Sequence, residues 1–258
     1  CTAHVAHQTR PGSQVVSGTP AVRLKPGDLV AGRYRLQEQI GEGAAATVFR
    51  ATDEVLGRDV AVKVLRGALA ASADATARFR AEGRAAAIIA HPNVAAVFDV
   101  TPEGDAPAII MEFVDGEDLA SMLRRVGPLV PRRAAAIAAQ VARGLAAAHQ
   151  RGIIHRDVTS RNILIGREGR AQIADFGIAH AILEDGLPTG TSGTGAPAGT
   201  AHYVAPEVAA GAPATASSDL YGLGVVLFEL LTGRRPALRE ADETAPSPRT
   251  LRPDIPAE

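Results

Sequence analysis

Lysine and asparagine are nearly missing from this chain. Lysine occurs only at Lys25 and Lys63, and asparagine only at Asn93 and Asn162, although the 258 residues carry 27 basic groups. Arginine supplies every other basic group, so a merely solvated charge has no need of lysine here. Each of the four scarce residues therefore invites a chemical reason. Tryptophan is absent and aromatics make up 3%, which leaves the core to aliphatic side chains. The one cysteine, Cys1, excludes an intramolecular disulfide framework and points to a reducing compartment. A formal net charge of −1 carries no basic footprint, so nucleic acid is not an expected partner. No apolar run approaches the roughly 20 residues that span a bilayer. Membrane attachment is thus expected only through segments outside this chain, and a cytoplasmic location follows. The opening "CTAHVAHQTRPGSQ" lacks the apolar centre of a signal peptide. It also lacks an initiator methionine, so a piece of a longer chain is expected rather than a processed lipoprotein.

What is present suits a folded chain of one large or two small units, with 46% hydrophobic residues. Residues 1–27 mix Pro, Gly and polar residues without a period and read as a tail. From Tyr34 the pattern changes. "YRLQEQI", "ATVFRAT" and "RDVAVKVL" read as strands of an antiparallel meander with glycine turns between them. Residues 72–90 read as a helix capped by Ser72 or Asp74 and ended by "HPN". "NVAAVFDV" and "PAIIMEFV" read as two more strands, with Gly116 as a break. The rest is mostly helical. Residues 131–152 place Ile137, Val141, Leu145 and Ala148 on one face. Residues 217–233 are apolar nearly all round, capped by Ser217 or Ser218 and stopped by Gly233. Between these helices, 184–200 is rich in Gly, Thr and Pro. Strands first and helices after predict an α+β fold of two lobes with a cleft between.

Four short stretches carry chemistry. "IGEGAAATV" sets Gly41 and Gly43 between two strands, where backbone N–H groups can approach phosphate oxygens. A plain hairpin turn is the alternative. A dinucleotide fold is excluded, because a strand rather than a helix follows and Ala46 stands at the third glycine position. "VAVKVL" places Lys63 inside an apolar strand. There it is either a solvent-facing edge residue or a compact charge for one phosphate, with Glu82 of the next helix as its carboxylate. "IIHRDVTSRNIL" puts Asp157 and Asn162 on a short polar interruption between apolar runs. They are either a turn bonding its own backbone or a proton acceptor and an amide ligand. "IADFGIA" adds Asp175, a second hard oxygen donor for a divalent ion on nucleotide phosphates.

Glycine loop, V-A-x-K, H-R-D-x-x-x-x-N, D-F-G and A-P-E occur here in the order found in protein kinases. With "FRAEGRAAAIIAHPNV", "GTAHYVAPE" and "SSDLYGLGVVLFELLTGRRP", the chain resembles the eukaryotic-like serine/threonine kinases of bacteria from about Leu29 onward. That resemblance implies a bilobal fold. Its N-lobe would be an antiparallel sheet with one main helix, near residues 28–114. Its C-lobe, near 115–258, would be mostly helical and incomplete, lacking the last helices. It implies transfer of the γ-phosphoryl group of ATP to Ser/Thr hydroxyls of proteins, with Mg²⁺ as the ion and Mn²⁺ as a substitute. Lys63 would hold the α- and β-phosphates and pair with Glu82. Asp157 would deprotonate the acceptor, and Asn162 and Asp175 would hold the metal. Ile40, Gly41, Gly43, Val48, Ala61, Met111, Glu112 and Val114 would surround the nucleotide, with the adenine hinge at Met111 to Val114. Arg156 implies control by a phosphate on the activation loop, at Thr189, Thr191, Ser192 or Thr194, and self-association for phosphorylation in trans.

The chain also departs from the pattern. Thr159 and Ser160 stand where serine/threonine kinases carry Lys-Pro, which removes a cation from the catalytic loop. Arg161 is expected to reach in, as an arginine at this position does in tyrosine kinases, while Thr200 fits the serine/threonine pattern. Glu207 of A-P-E has no arginine partner in the sequence, so a burial cost is expected there. These departures keep open a nucleotide-binding pseudokinase or scaffold. A small-molecule kinase is disfavoured by the long activation segment.

Overall fold

The computed structural model describes residues 24–176, 201–236 and 246–256. Most of the expected tail lies outside the described residues. Its last part is ordered, however. Gly27 N donates to Leu36 O at 2.8 Å and Leu24 packs against the first strands.

The first lobe contains β1 (Leu29–Val30), β2 (Tyr34–Glu42), β3 (Ala46–Asp53) and β4 (Arg58–Leu65). Helices α1 (Gly67–Ala71) and α2 (Ala73–Ala86) follow, then β5 (Val97–Val100) and β6 (Ala108–Glu112). The sheet is antiparallel with strand order β1-β2-β3-β4-β6-β5. The expected three-strand meander is β2-β3-β4, with β1 added ahead of it; β6 then pairs with β4 and leaves β5 at the edge. β4 is central and buried on both faces, which explains an apolar run interrupted only by Lys63. Val60, Val62 and Val64 join Tyr34, Leu36, Phe49 and Ile110 in one cluster. Ala61 and Leu65 face the other way, with Ile109 and Met111, against Phe79 of α2.

Ser72 caps α2 as expected, its Oγ accepting from Ala75 N at 3.2 Å. The helix stops at Ala86, short of the predicted Ala90. Residues 87–89 turn instead, and Ile89 enters the core at 2% exposure. Buried Arg80 ties α2 to the β5–β6 turn by donating to Thr101 O, Pro102 O and Asp105 O at 2.9, 2.9 and 3.0 Å.

The second lobe holds β7 (Gly116–Asp118), α3 (Leu119–Val126), α4 (Pro131–His149), β8 (Ile163–Gly166) and β9 (Ala171–Ile173). After a turn at Ala201–Tyr203 come α5 (Pro206–Ala209), α6 (Ala216–Thr232) and α7 (Pro248–Leu251). Sequence reading passes over α3, whose cap is the side chain of Asp118. Gly116 begins β7 rather than breaking a strand. A Cβ there would lie 2.0 Å from Ile165 O, so the close strand pair requires glycine. The α6 cap falls at Thr215, ahead of the expected serines, with Thr215 N donating to Ser218 Oγ at 2.9 Å. The predicted apolar face of α4 is buried, with Ile137, Val141, Leu145 and Ala148 packing on α6 and β9. α6 is less enclosed than expected, since Leu220 is 54% exposed.

Of the stretch from Asn93 read as strand, Val97–Val100 forms β5, while 93–95 bonds to β9 across the lobes. Ala95 N donates to Ile173 O and Ile173 N to Asn93 O, each at 2.9 Å. Asn93 Nδ2 donates to Ala171 O at 2.7 Å. α4 presses on this junction, where a Cβ on Gly144 would lie 2.6 Å from Asn93 O. Alanine would gain helix propensity of about 1 kcal/mol, but the facing atom is backbone and cannot swing away. Gly144→Ala should therefore destabilise the chain by about 1–3 kcal/mol in urea unfolding; a stabilised variant would show that the junction yields.

Candidate active site

Cross-strand register builds the roof of the cleft. Gly41 pairs with Val48, Val48 with Lys63, and Lys63 with Ile109; beside them Ala61 pairs with Met111. Paired residues share a sheet face, so Val48, Ala61, Lys63 and Met111 look the same way. This gathers the expected nucleotide residues from four strands. Ile40 is 47% exposed, on the outermost of them. Glu112 turns its carboxylate away, accepting from Ala96 N at 3.2 Å and Gln172 Nε2 at 2.9 Å. Its side chain thus joins the hinge to β9, and its backbone N–H donates to Ala96 O at 2.8 Å.

The floor is the polar loop 155–162. His155 is fully buried, and Val158 and Ile163 are buried at 4% and 0% exposure, so apolar anchors bracket the polar residues. Asp219 pegs this loop from α6. Its carboxylate, 2% exposed, accepts from His155 N and Arg156 N at 2.8 Å each and from His149 Nε2 at 2.7 Å. These bonds hold Arg156 at φ +68°, a left-handed conformation that a non-glycine residue adopts at a cost of order 1 kcal/mol. His155 Nε2 donates to Ala174 O at 3.0 Å, its Nδ1 accepts from Asp157 N at 3.2 Å, and its ring meets Phe176 at 4.6 Å. Burial pushes the His155 pKa down, in keeping with a neutral ring that donates from one nitrogen and accepts at the other.

Four groups distant in sequence converge here. Asn162 Nδ2 donates to Asp157 O and to Asp157 Oδ2, both at 2.9 Å. Ala174 N donates to Asn162 O at 2.8 Å, and the next residue, Asp175, meets Lys63 Nζ at 3.0 Å. Lys63 is 8% exposed, so it is no edge lysine. Asp175 is held at φ +61°, a second strained position beside the first. With Asn162 nitrogen on Asp157, its oxygen is left for another partner. Among the described residues no three His, Cys, Asp or Glu side chains form a metal cage. An amide oxygen and one carboxylate fit a magnesium ion that takes its remaining ligands from phosphate and water.

One expected pairing is not made. Lys63 bonds Asp175 and not Glu82, whose Oε2 is buried without a hydrogen-bond partner. Burial pushes the Glu82 pKa up to about 7, against the pull of Arg156 first and Lys63 second. Glu207 is another correction. It is exposed in the first turn of α5, where a negative charge is favourable, so the expected burial cost is absent. Thr159 and Ser160 are buried at 5% and 2% exposure, while Arg161 is exposed. Thr189, Thr191, Ser192, Thr194 and Thr200 lie outside the described residues. Asp219, His149, Gln172 and Tyr203 were missed by sequence reasoning; an acid inside the apolar run of α6 was the available signal for the first.

The protein kinase domain profile matches residues 34–250. The chain belongs to that family. Its kinase domain is 39% identical over 239 residues to the serine/threonine-protein kinase PrkC of Bacillus subtilis, covering 89% of this chain and 36% of that protein. It is 42% identical over 244 residues to PknA of Mycobacterium tuberculosis, covering 89% of this chain and 55% of PknA. The chain therefore spans only about a third to a half of these relatives. Among solved structures, the PknI kinase domain of M. tuberculosis superposes with a TM-score of 0.70 at 31% identity, over 90% of this chain and 87% of that one. Rad53 in complex with AMP-PNP gives a TM-score of 0.63 at 25% identity, over 81% of this chain and 51% of that one.

The state of Glu82 gives a pH prediction. The fold favours its protonated form, so its contribution to stability is full below the ordinary glutamate range and is lost as pH rises through about 7. The melting temperature of the wild type relative to Glu82→Gln should fall by a few degrees from pH 5 to pH 8. A difference that stays flat with pH would refute the assignment.

Proposed function

We propose that this kinase domain is the catalytic part of a serine/threonine protein kinase, transferring the γ-phosphoryl group of ATP to Ser/Thr hydroxyls. The observation that carries the reading is the linked set Lys63–Asp175 and Asn162–Asp157, joined through Ala174 N to Asn162 O. The names of PrkC and PknA and the AMP-PNP complex of Rad53 support it.

Phosphoryl transfer asks chiefly for positioning and charge neutralisation. Lys63, held in a central strand, supplies a fixed cation for the α- and β-phosphates. The loop at Gly41 and Gly43 covers the phosphates, and the hinge at Met111 to Val114 receives the adenine. Asn162 and Asp175 would hold Mg²⁺, with Mn²⁺ as its substitute, and the bound ion would supply neutralisation of phosphate charge. Asp157, fixed by Asn162, orients the acceptor hydroxyl and takes its proton. In this arrangement Lys63 occupies Asp175. With Asp175 given to the metal, Lys63 would pair with Glu82, the carboxylate left without a hydrogen-bond partner. The acceptors are proteins, this chain in trans among them, and nucleic acid is not a substrate. No described helix is long and apolar enough to cross a membrane.

Incubation with Mg-ATP tests the reading. The wild type should label itself or added protein on threonine or serine, whereas Asp157→Asn should lose about 10²–10⁴-fold in rate. Phosphosites should map by mass spectrometry to Thr189, Thr191, Ser192 or Thr194. A wild type that binds ATP but labels nothing favours the scaffold alternative.

A further inference from the structure

Ser160 lies between the two working residues of the catalytic loop, yet its side chain faces away from the cleft and is 2% exposed. Its Oγ is 3.0 Å from Tyr203 OH. Tyr203, 8% exposed, spends its own proton on Glu229 Oε2 at 2.5 Å. Ser160 must then be the donor to the Tyr203 oxygen, and the three groups form a directed relay from the catalytic loop to α6. The Ser160 carbonyl is fixed as well, accepting from Ala120 N of α3 at 3.0 Å. The relay crosses a tight junction. A Cβ on Gly222 would lie 2.9 Å from Val158 O and 3.5 Å from Tyr203 O, so α6 presses on both segments at one point.

Contacts with α6 bring the catalytic loop and the 201–206 segment side by side. The Ser160–Tyr203 bond ties the two segments to each other directly, three residues from Asp157 and two from Asn162. We propose that Ser160 is a positioning residue: its hydroxyl locks Tyr203, and with it the 201–206 segment, to the catalytic loop, so that a polypeptide acceptor lying along that segment presents its hydroxyl to Asp157. This rests on the protein-kinase reading. It predicts an effect on the acceptor and none on the nucleotide, because Lys63, Asp175 and the glycine loop take no part in the relay.

The test uses the full 258-residue chain and a panel of threonine peptides, the sequence of residues 184–200 among them, with the best acceptor carried forward. Ser160→Ala should lower kcat/KM for the peptide by about tenfold, the scale of one internal hydrogen bond, with the KM for ATP unchanged. In a Tyr203→Phe background, Ser160→Ala should have no further effect, since the acceptor of its bond is gone. An unchanged peptide kcat/KM overturns the proposal, and so does an equal loss of ATP and peptide parameters, which would mark general damage. Full additivity of the two variants overturns it too. A wild type that phosphorylates no acceptor at all overturns the kinase reading itself, and the proposal with it.

Discussion

Asp219 is the peg from which the rest of the site hangs. A carboxylate at 2% exposure is tolerable only with its oxygens fully engaged, and here it takes three hydrogen bonds. Two of them come from consecutive backbone amides, His155 and Arg156, which point the same way only because the chain bends at the strained φ of Arg156. The helix therefore over-determines the loop. The strain, of order 1 kcal/mol, is small against the cost of leaving a buried carboxylate unsatisfied. His155 passes the constraint on, since its ring bonds Ala174 O and Asp157 N and so fixes where both acids emerge. Asp157 and Asp175 owe their relative placement to one buried acid on a distant helix.

Lys63 has a choice that this frame does not make for it. Two carboxylates lie near, and the described arrangement gives the lysine to Asp175 and leaves Glu82 buried with one bare oxygen. Burying an ionised, unpaired Glu82 would be costly, and its raised pKa is the usual escape. The outcome is not a loose helix. Arg80 fastens α2 to the β5–β6 turn, and Gly83 allows Ile109 to approach within 2.9 Å of where a Cβ would sit. α2 is packed too closely for its carboxylate to be brought to Lys63 by rotating the helix freely. The economical exchange is at the lysine end, where one long side chain moves between two fixed acids.

Much of the fold was legible because the pattern and the packing agree. β4 reads as an apolar, valine-rich run around Lys63 because it is central, and α4 shows its buried face because only one side meets the core. The misses share a cause. Gly116, Ile89 and the start of α6 are set by close approach of distant segments, and local propensity carries no record of that. The four converging residues were legible through resemblance and chemistry together. The Lys63–Glu82 pairing was not, because which acid holds a lysine depends on how tertiary packing buries and places each carboxylate, and the local sequence does not record that. Asp219 was visible as an acid in an apolar helix, yet its partners lie in a loop more than sixty residues earlier.

Of the four rare residues, Lys63 and Asn162 stand in the cleft, while Asn93 closes the seam between lobes through Ala171 O and Gln140 Oε1. Asn93 and Asn162 do related work by the same means: each uses its amide nitrogen to bond a carbonyl that a carboxylate would repel. Aspartate is common in this chain and could replace neither, because it has no proton to give. Arginine is commoner still and could not replace Lys63, since a planar fork needs a partner plane where a point charge can move from one acid to another. Lys25 is exposed and serves neither place; at the cleft and at the seam, geometry leaves a single side chain able to serve.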